Sequence, residues 1–203
     1  MNFRMTAHEW TRLIVGAVAL CVLCTAPTSA HAQFSAGNHW YAGNNVHIDW
    51  STPTSPVVTC DGPFSTIEGV AATSDTTTGA PLLSTDGRTA YDGAGVAIPG
   101  ATGLGGGGSS SQSAILATDP GDPNRVWLFA VRESGGPVTP HLFDLTGPTL
   151  VRSEASYPSS THERATVIPH GNGTDIWLLY TSDAGGVGTV YSRLITATGV
   201  GPE

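Results

Sequence analysis

A shift of 50 residues lays part of this chain on itself without a gap: Trp127 falls on Trp177, Leu128 on Leu178, and Gly135-Gly136 on Gly185-Gly186. Under the same shift Gly121 meets Gly171, Thr139 meets Thr189, Thr146 meets Thr196, and Glu133 meets the acidic Asp183. A period of this length restricts the fold more than any single motif, because each unit must bury its apolar faces against copies of itself. One unit reads as strand 113–118, a turn at Asp119–Asn124, strand 125–131, a Gly-Gly turn, strand 139–145, a turn at Thr146-Gly147-Pro148, and strand 149–154. The next unit starts near Arg164 and reaches its third strand at Val190–Ile195. A fainter upstream copy sets Val70–Asp75 against Ala114–Asp119, 44 residues away.

From Gln33 onward no stretch sustains a helical period. Glycine and proline punctuate the chain every eight to twelve residues, the spacing of all-β folds. The runs Arg125–Val131 and Asp175–Tyr180 are short, apolar and bounded by turns, which suits strands buried on both faces. The expectation is an all-β fold: a partial β-propeller of about three four-stranded antiparallel blades, with units near 66–112, 113–162 and 163–203. A plain β-sandwich is the alternative. The chain stops where a further strand is due, so it reads as the front part of a longer protein.

Residues 1–32 read as a signal peptide, which leaves 33–203 as the propeller-like domain. Arg4 and Arg12 precede Leu13–Cys24, twelve apolar residues without a charge, and Ala30-His31-Ala32 supplies a small-x-small cleavage site. That apolar run is shorter than the roughly 20 residues of a membrane helix. The leucines before Cys21 and Cys24 do not fit a lipid-attachment box. Without this segment Cys60 is the one remaining cysteine, so no intrachain disulfide forms; following Val57-Val58-Thr59, it reads as a buried structural thiol. Six basic residues then face fifteen acidic ones, and lysine is absent. Such a surface repels phosphate backbones, which argues against nucleic-acid binding.

Several segments bear on chemistry. Gly103, Gly105 and Gly108 fit a G-x-G-x-x-G pattern, but no helix follows to hold a pyrophosphate, so the segment reads as a flexible inter-strand loop. Ser84–Tyr91 approximates the Asp-box turn of sialidase-like propellers, with Asp86 and Gly87 adjacent rather than one residue apart. Asp119, Asp122 and Asn124 offer three oxygen donors for calcium, yet Pro120, Gly121 and Pro123 already explain a turn. His39, His47, His141, His162 and His170 include no H-x-x-x-H or H-E-x-x-H arrangement. His47 and Asp49 share a strand face and read as a cross-strand hydrogen-bonding pair; His162-Glu163-Arg164 reads as a solvated loop at a unit junction. G-x-S-x-G is absent. Asn172-Gly173-Thr174 is a glycosylation sequon that an Asn-Gly hairpin also explains. Trp127 and Trp177 read as packing between blades, and Trp40 with Tyr41 as a candidate sugar-stacking surface.

Asn38–Asn45, Glu68–Asp75, Leu82–Gly87, Gly103-Leu104 with Ser109–Ala114, and His170–Trp177 occur in that order. Together they resemble the N-terminal propeller-like region of large secreted bacterial proteins that carry PKD domains or are gliding-motility-associated. The resemblance implies a cell-surface or extracellular role, adhesive or scaffolding, and brings no catalytic residues. The expected function is therefore a non-catalytic extracellular or cell-surface module that binds a protein or glycan. No catalytic, cofactor-binding or metal-binding residue is assigned. The alternative is a propeller-type carbohydrate hydrolase, for which Glu68, Asp75 and Asp86 would have to converge in a central channel.

Overall fold

The computed structural model describes residues 36–133, 135–157, 162–182 and 187–202, and every regular element in them is a strand. The expected signal peptide, residues 1–32, lies outside the described residues. Four antiparallel sheets follow one another along the chain. The first holds β1 (His39–Ala42), β2 (Val46–Asp49) and β3 (Val57–Thr59). The second holds β4 (Ala71–Ser74), β5 (Pro81–Thr85), β6 (Thr89–Asp92) and β7 (Ala97–Thr102). The third holds β8 (Ala114–Asp119), β9 (Asp122–Val131), β10 (Val138–Asp144) and β11 (Thr149–Ser153). The fourth holds β12 (Ala165–Pro169), β13 (Ile176–Ser182), β14 (Thr189–Thr196) and β15 (Gly199–Val200). Within each sheet the strands lie side by side in sequence order, so every sheet is a meander.

The three four-stranded units expected from the repeat are present, and the three-stranded sheet at 39–59 adds a layer that the period did not reveal. One of the expected strand boundaries differs by more than a residue. The turn expected at Asp119–Asn124 shrinks to Pro120-Gly121, because Asp119 pairs with Asp122 and its side chain accepts the Gly121 N–H at 3.2 Å. Local capping lets β9 begin three residues early.

The sheets meet through their first strands: β1 lies against β4, β4 against β8, and β8 against β12. β7 and β11 also touch. Side chains alternate across a strand, so a sheet with a neighbour on each side needs apolar residues at consecutive positions. β9 has them. Val126, Leu128 and Ala130 pack with Leu83, Ala90, Ile98 and Ala101 of the second sheet. Trp127, Phe129 and Val131 pack with Leu178, Tyr180 and Ile195 of the fourth. All six β9 residues are buried.

β13 departs from the expected burial on both faces. Leu178 and Tyr180 are buried toward the third sheet, whereas Trp177, Leu179 and Thr181 on the opposite face are only half-buried. No described sheet covers that face. Of the two repeat-equivalent tryptophans, Trp127 therefore packs between sheets; Trp177 instead lies 5.5 Å from the His170 ring on an open surface. Cys60 is exposed, contrary to the buried thiol expected, because it follows β3, the edge strand of the first sheet, rather than a core strand.

Leu128 is fully buried between two sheets. Leu128→Ala is expected to lower the unfolding free energy by about 2–5 kcal/mol, through lost transfer energy and a cavity. Val151→Ala, on exposed β11, is expected to change it by less than about 0.5 kcal/mol. Urea denaturation of residues 33–203 measures both, and equal effects would contradict the layered core.

Candidate binding cleft

At one end of the sheets, the β5–β6 and β9–β10 hairpins meet the connections from β3 to β4 and from β7 to β8. Backbone hydrogen bonds lock them together. Gly106 N donates to Gly87 O at 2.9 Å, Gly107 N to Val131 O at 3.1 Å, Leu104 N to Arg88 O at 3.0 Å, and Thr66 N to Gly43 O of the β1–β2 hairpin at 3.2 Å. A side chain at Gly106 would overlap the Gly87 backbone, and one at Gly107 would overlap the Glu133 carboxylate. The glycine run is thus a close-packed connector that lets loops approach one another. It opens no helix and is not the flexible tether expected.

Between these loops lies a cleft of about 990 Å³, lined by Asn44, Thr66, Ile67, Arg88, Arg132 and Glu133 together with the glycine backbone. Its chemistry comes from two guanidinium groups in different settings. The buried Asp86 carboxylate accepts the Arg88 N–H at 2.9 Å and the Thr89 N–H at 2.8 Å, which closes the hairpin. Its other oxygen accepts Arg88 Nε at 3.1 Å and Nη2 at 2.8 Å. The Asp-box-like turn is structural, and it holds Arg88 at the cleft. Arg132 has no ion pair among the described residues. Glu133 keeps one carboxylate oxygen buried without a hydrogen-bond partner among the described residues. With its polar side chains and its many backbone groups, this lining can hydrogen-bond a polar ligand.

A second cluster ties the first sheet together. His39 Nδ1 lies 2.8 Å from His47 Nε2, His47 Nδ1 lies 3.3 Å from Asp61, and Tyr41 stacks on His47 at 4.7 Å. Thr59 donates its hydroxyl to Asp61. His47 thus bonds across strands as expected, although its partner is His39; Asp49 instead accepts the Ser51 N–H at 2.7 Å. Farther along, His141 Nε2 donates to the Leu104 carbonyl at 2.8 Å, since a carbonyl only accepts. Its Nδ1 then accepts from Ser153 Oγ, also at 2.8 Å. Among the described residues no group of three or more His, Cys, Asp or Glu can hold a metal ion.

The remaining sequence candidates are placed as follows. Trp40 and Tyr41 are neighbours on a strand and so face opposite ways: Trp40 is exposed beside Trp50 at 5.3 Å, while Tyr41 turns inward toward Phe64. They cannot form one stacking surface. Glu68, Asp75 and Asp86 do not converge. Asp75 caps the β4–β5 turn through the Thr77 and Thr78 N–H groups, Asp86 closes the hairpin at the opposite end of β5, and Glu68 is an exposed residue of the β3–β4 connection. Asp119 and Asp122 cap their own turn, and Asn124 donates its N–H to Asp122. Glu163 is less solvated than expected, since it accepts the Ser111 N–H and hydroxyl at 3.0 and 3.1 Å. Asn172 Oδ1 accepts the Thr174 and Asp175 N–H groups in the expected Asn-Gly turn. Sequence reasoning missed Arg132 and Glu133 as lining residues, because only the meeting of distant hairpins gives them a site.

Burial holds both His39 and His141 below the ordinary imidazole value of 6.5. The unfolded chain therefore binds more protons than the folded one once the pH drops below that value, and stability is lost as acid is added. Asp49, Asp61, Asp75 and Asp144, held below the usual carboxylate range by hydrogen bonds, add their losses only below 3.8. The urea midpoint is expected to fall between about pH 7 and pH 5, and less steeply in His141→Gln. A flat profile there would contradict this assignment. No protein-family model, no curated protein and no solved structure matches the chain.

Proposed function

We propose that this protein is a non-catalytic binding module that works outside the cell or at its surface, with the four-sheet stack as scaffold and the loop-end cleft as the place where a glycan or protein segment is held. The observation that carries this reading is the construction of the cleft. Loops from three successive sheets converge there, and Arg132, without an acidic partner among the described residues, lines it together with the anchored Arg88. A guanidinium fork offers several donors in fixed geometry, and the surrounding backbone, hydroxyl and amide groups supply further donors and acceptors. Polar ligands of this kind are recognised by a few well-placed hydrogen bonds on a preformed surface. The export pattern of residues 1–32 supports an extracellular setting. The order of motifs supports kinship with the secreted PKD-domain and gliding-motility-associated surface proteins.

Arg132 is the side chain to test, because removing Arg88 would also leave the buried Asp86 charge unpaired. Residues 33–203 are screened on an array of neutral and acidic glycans, and any hit is titrated. Arg132→Ala is expected to weaken binding about tenfold or more, equivalent to roughly 1.4 kcal/mol, with an unchanged thermal midpoint. Unchanged affinity would remove the cleft from the binding surface. Turnover of glycoside or ester substrates that a single Asp or Glu substitution abolishes would overturn the non-catalytic reading.

A further inference from the structure

We infer that the cleft takes a carboxylated sugar, whose carboxylate is gripped between Arg132 and Arg88. This rests on the cleft being the binding surface and adds the chemical class of what it holds. Two consecutive backbone bonds set the pair. Gly106 N donates to the Gly87 carbonyl at 2.9 Å, and Gly107 N to the Val131 carbonyl at 3.1 Å. The residue after each acceptor is an arginine, so Arg88 and Arg132 flank the glycine run, and both line the cleft. The ground between them carries no side chain.

Each guanidinium keeps donors to spare. Asp86 occupies Nε and Nη2 of Arg88 at 3.1 and 2.8 Å, whereas Nη1 lies toward Gly108, where an added Cβ would meet it at 3.0 Å. Residues 33–203 hold six arginines and no lysine. Carboxylates also pair with Arg125 and Arg152, and Arg193 donates to the Tyr180 hydroxyl and the Gly201 carbonyl. Arg132 is exposed and has no acidic partner among the described residues. Glu133 is the one acid among the described lining residues, and one of its oxygens is buried. A guanidinium fork matches a planar carboxylate with two parallel hydrogen bonds. Arg132 supplies that fork, and Arg88 Nη1 adds a donor from a fixed direction.

The rest of the lining points to a sugar rather than a peptide. The cleft is built from hairpin ends and connections, not from a strand edge to which an extended peptide could add. Among the described residues no aromatic side chain lines it, so it lacks the Trp and Tyr anchors that carry most protein contacts. A sugar ring finds nothing to stack on there either, and hydrogen bonds must hold it. Asn44, Ser109 and the glycine backbone suit hydroxyl groups. Hydrogen bonds to an ionised group are roughly twice as strong as neutral ones. A sugar held without stacking therefore gains most from carrying a carboxylate. Acidic side chains farther off repel it little, because charges beyond about 8 Å are largely screened at physiological salt.

The test titrates residues 33–203 calorimetrically with oligogalacturonate, oligomannuronate, a hyaluronan tetrasaccharide and sialyllactose, each beside its methyl ester. At least one acid is expected to bind, with its ester at least tenfold weaker, and added salt is expected to weaken the acid alone. Two variants probe the grip without unpairing Asp86. Arg132→Lys keeps the charge and loses the fork, and Gly108→Ala crowds Arg88 Nη1. Each is expected to lower the acid's affinity at least threefold more than the ester's, with an unchanged thermal midpoint. If no acid binds, if acid and ester bind alike, or if neither variant narrows the preference, the proposal falls. The cleft survives such a result where Arg132→Ala weakens a neutral ligand, and falls with it where Arg132→Ala has no effect.

Discussion

Burial of β9 between two sheets is the constraint on which the rest of this molecule depends. Six consecutive residues, Val126 to Val131, leave almost no surface to solvent, and they divide by parity between two cores. One four-stranded meander has two apolar faces and can hide neither alone. Pressed between neighbours it hides both, and its fully buried side chains set the spacing of the sheets beside it. A four-stranded unit that needs a sheet on each side accounts for why such units follow one another along the chain.

Stacking sheets face to face brings their hairpins together at the ends, and the backbone must then fit into narrow space. This is where the glycines are spent. Gly87 has φ of +79°, and a side chain on it would run into Ser113, while Gly106 lies directly against Gly87. The result is a bonded platform of loops. Short polar residues and two arginines stand at its rim, positioned by hairpins far apart in sequence. Asp86 shows how the two demands combine: its buried carboxylate closes a hairpin through one oxygen and fixes the direction of a guanidinium through the other.

The strand pattern was legible because alternation and turn chemistry are local. Asp-Gly at 86–87 and Asn-Gly at 172–173 form turns where they were expected, and the four-stranded units fall at their expected places along the chain. Local signals also set the limits. The strand that carries His47 and Asp49 was legible, but its pairing into a first sheet was not, since these short strands share no period with the rest. Cys60 was misjudged because a valine run marks a strand equally well at a sheet edge and in a core. Trp40 and Tyr41 were grouped by adjacency, although adjacency on a strand separates side chains to opposite faces.

Residue order alone determined the kind of structure: strands, turns, and a unit that must pack on its own likeness, because these follow from side-chain period and backbone preference within a few residues. Only the tertiary structure decided which apolar faces find cover and which stay open, and which loops share a cleft. Trp127 and Trp177 have equivalent surroundings in sequence and opposite fates in space. Arg88 and Arg132 are unremarkable in sequence and become neighbours of one cleft. Burial and convergence belong to pairs of distant segments, and their positions exist only once the sheets have stacked.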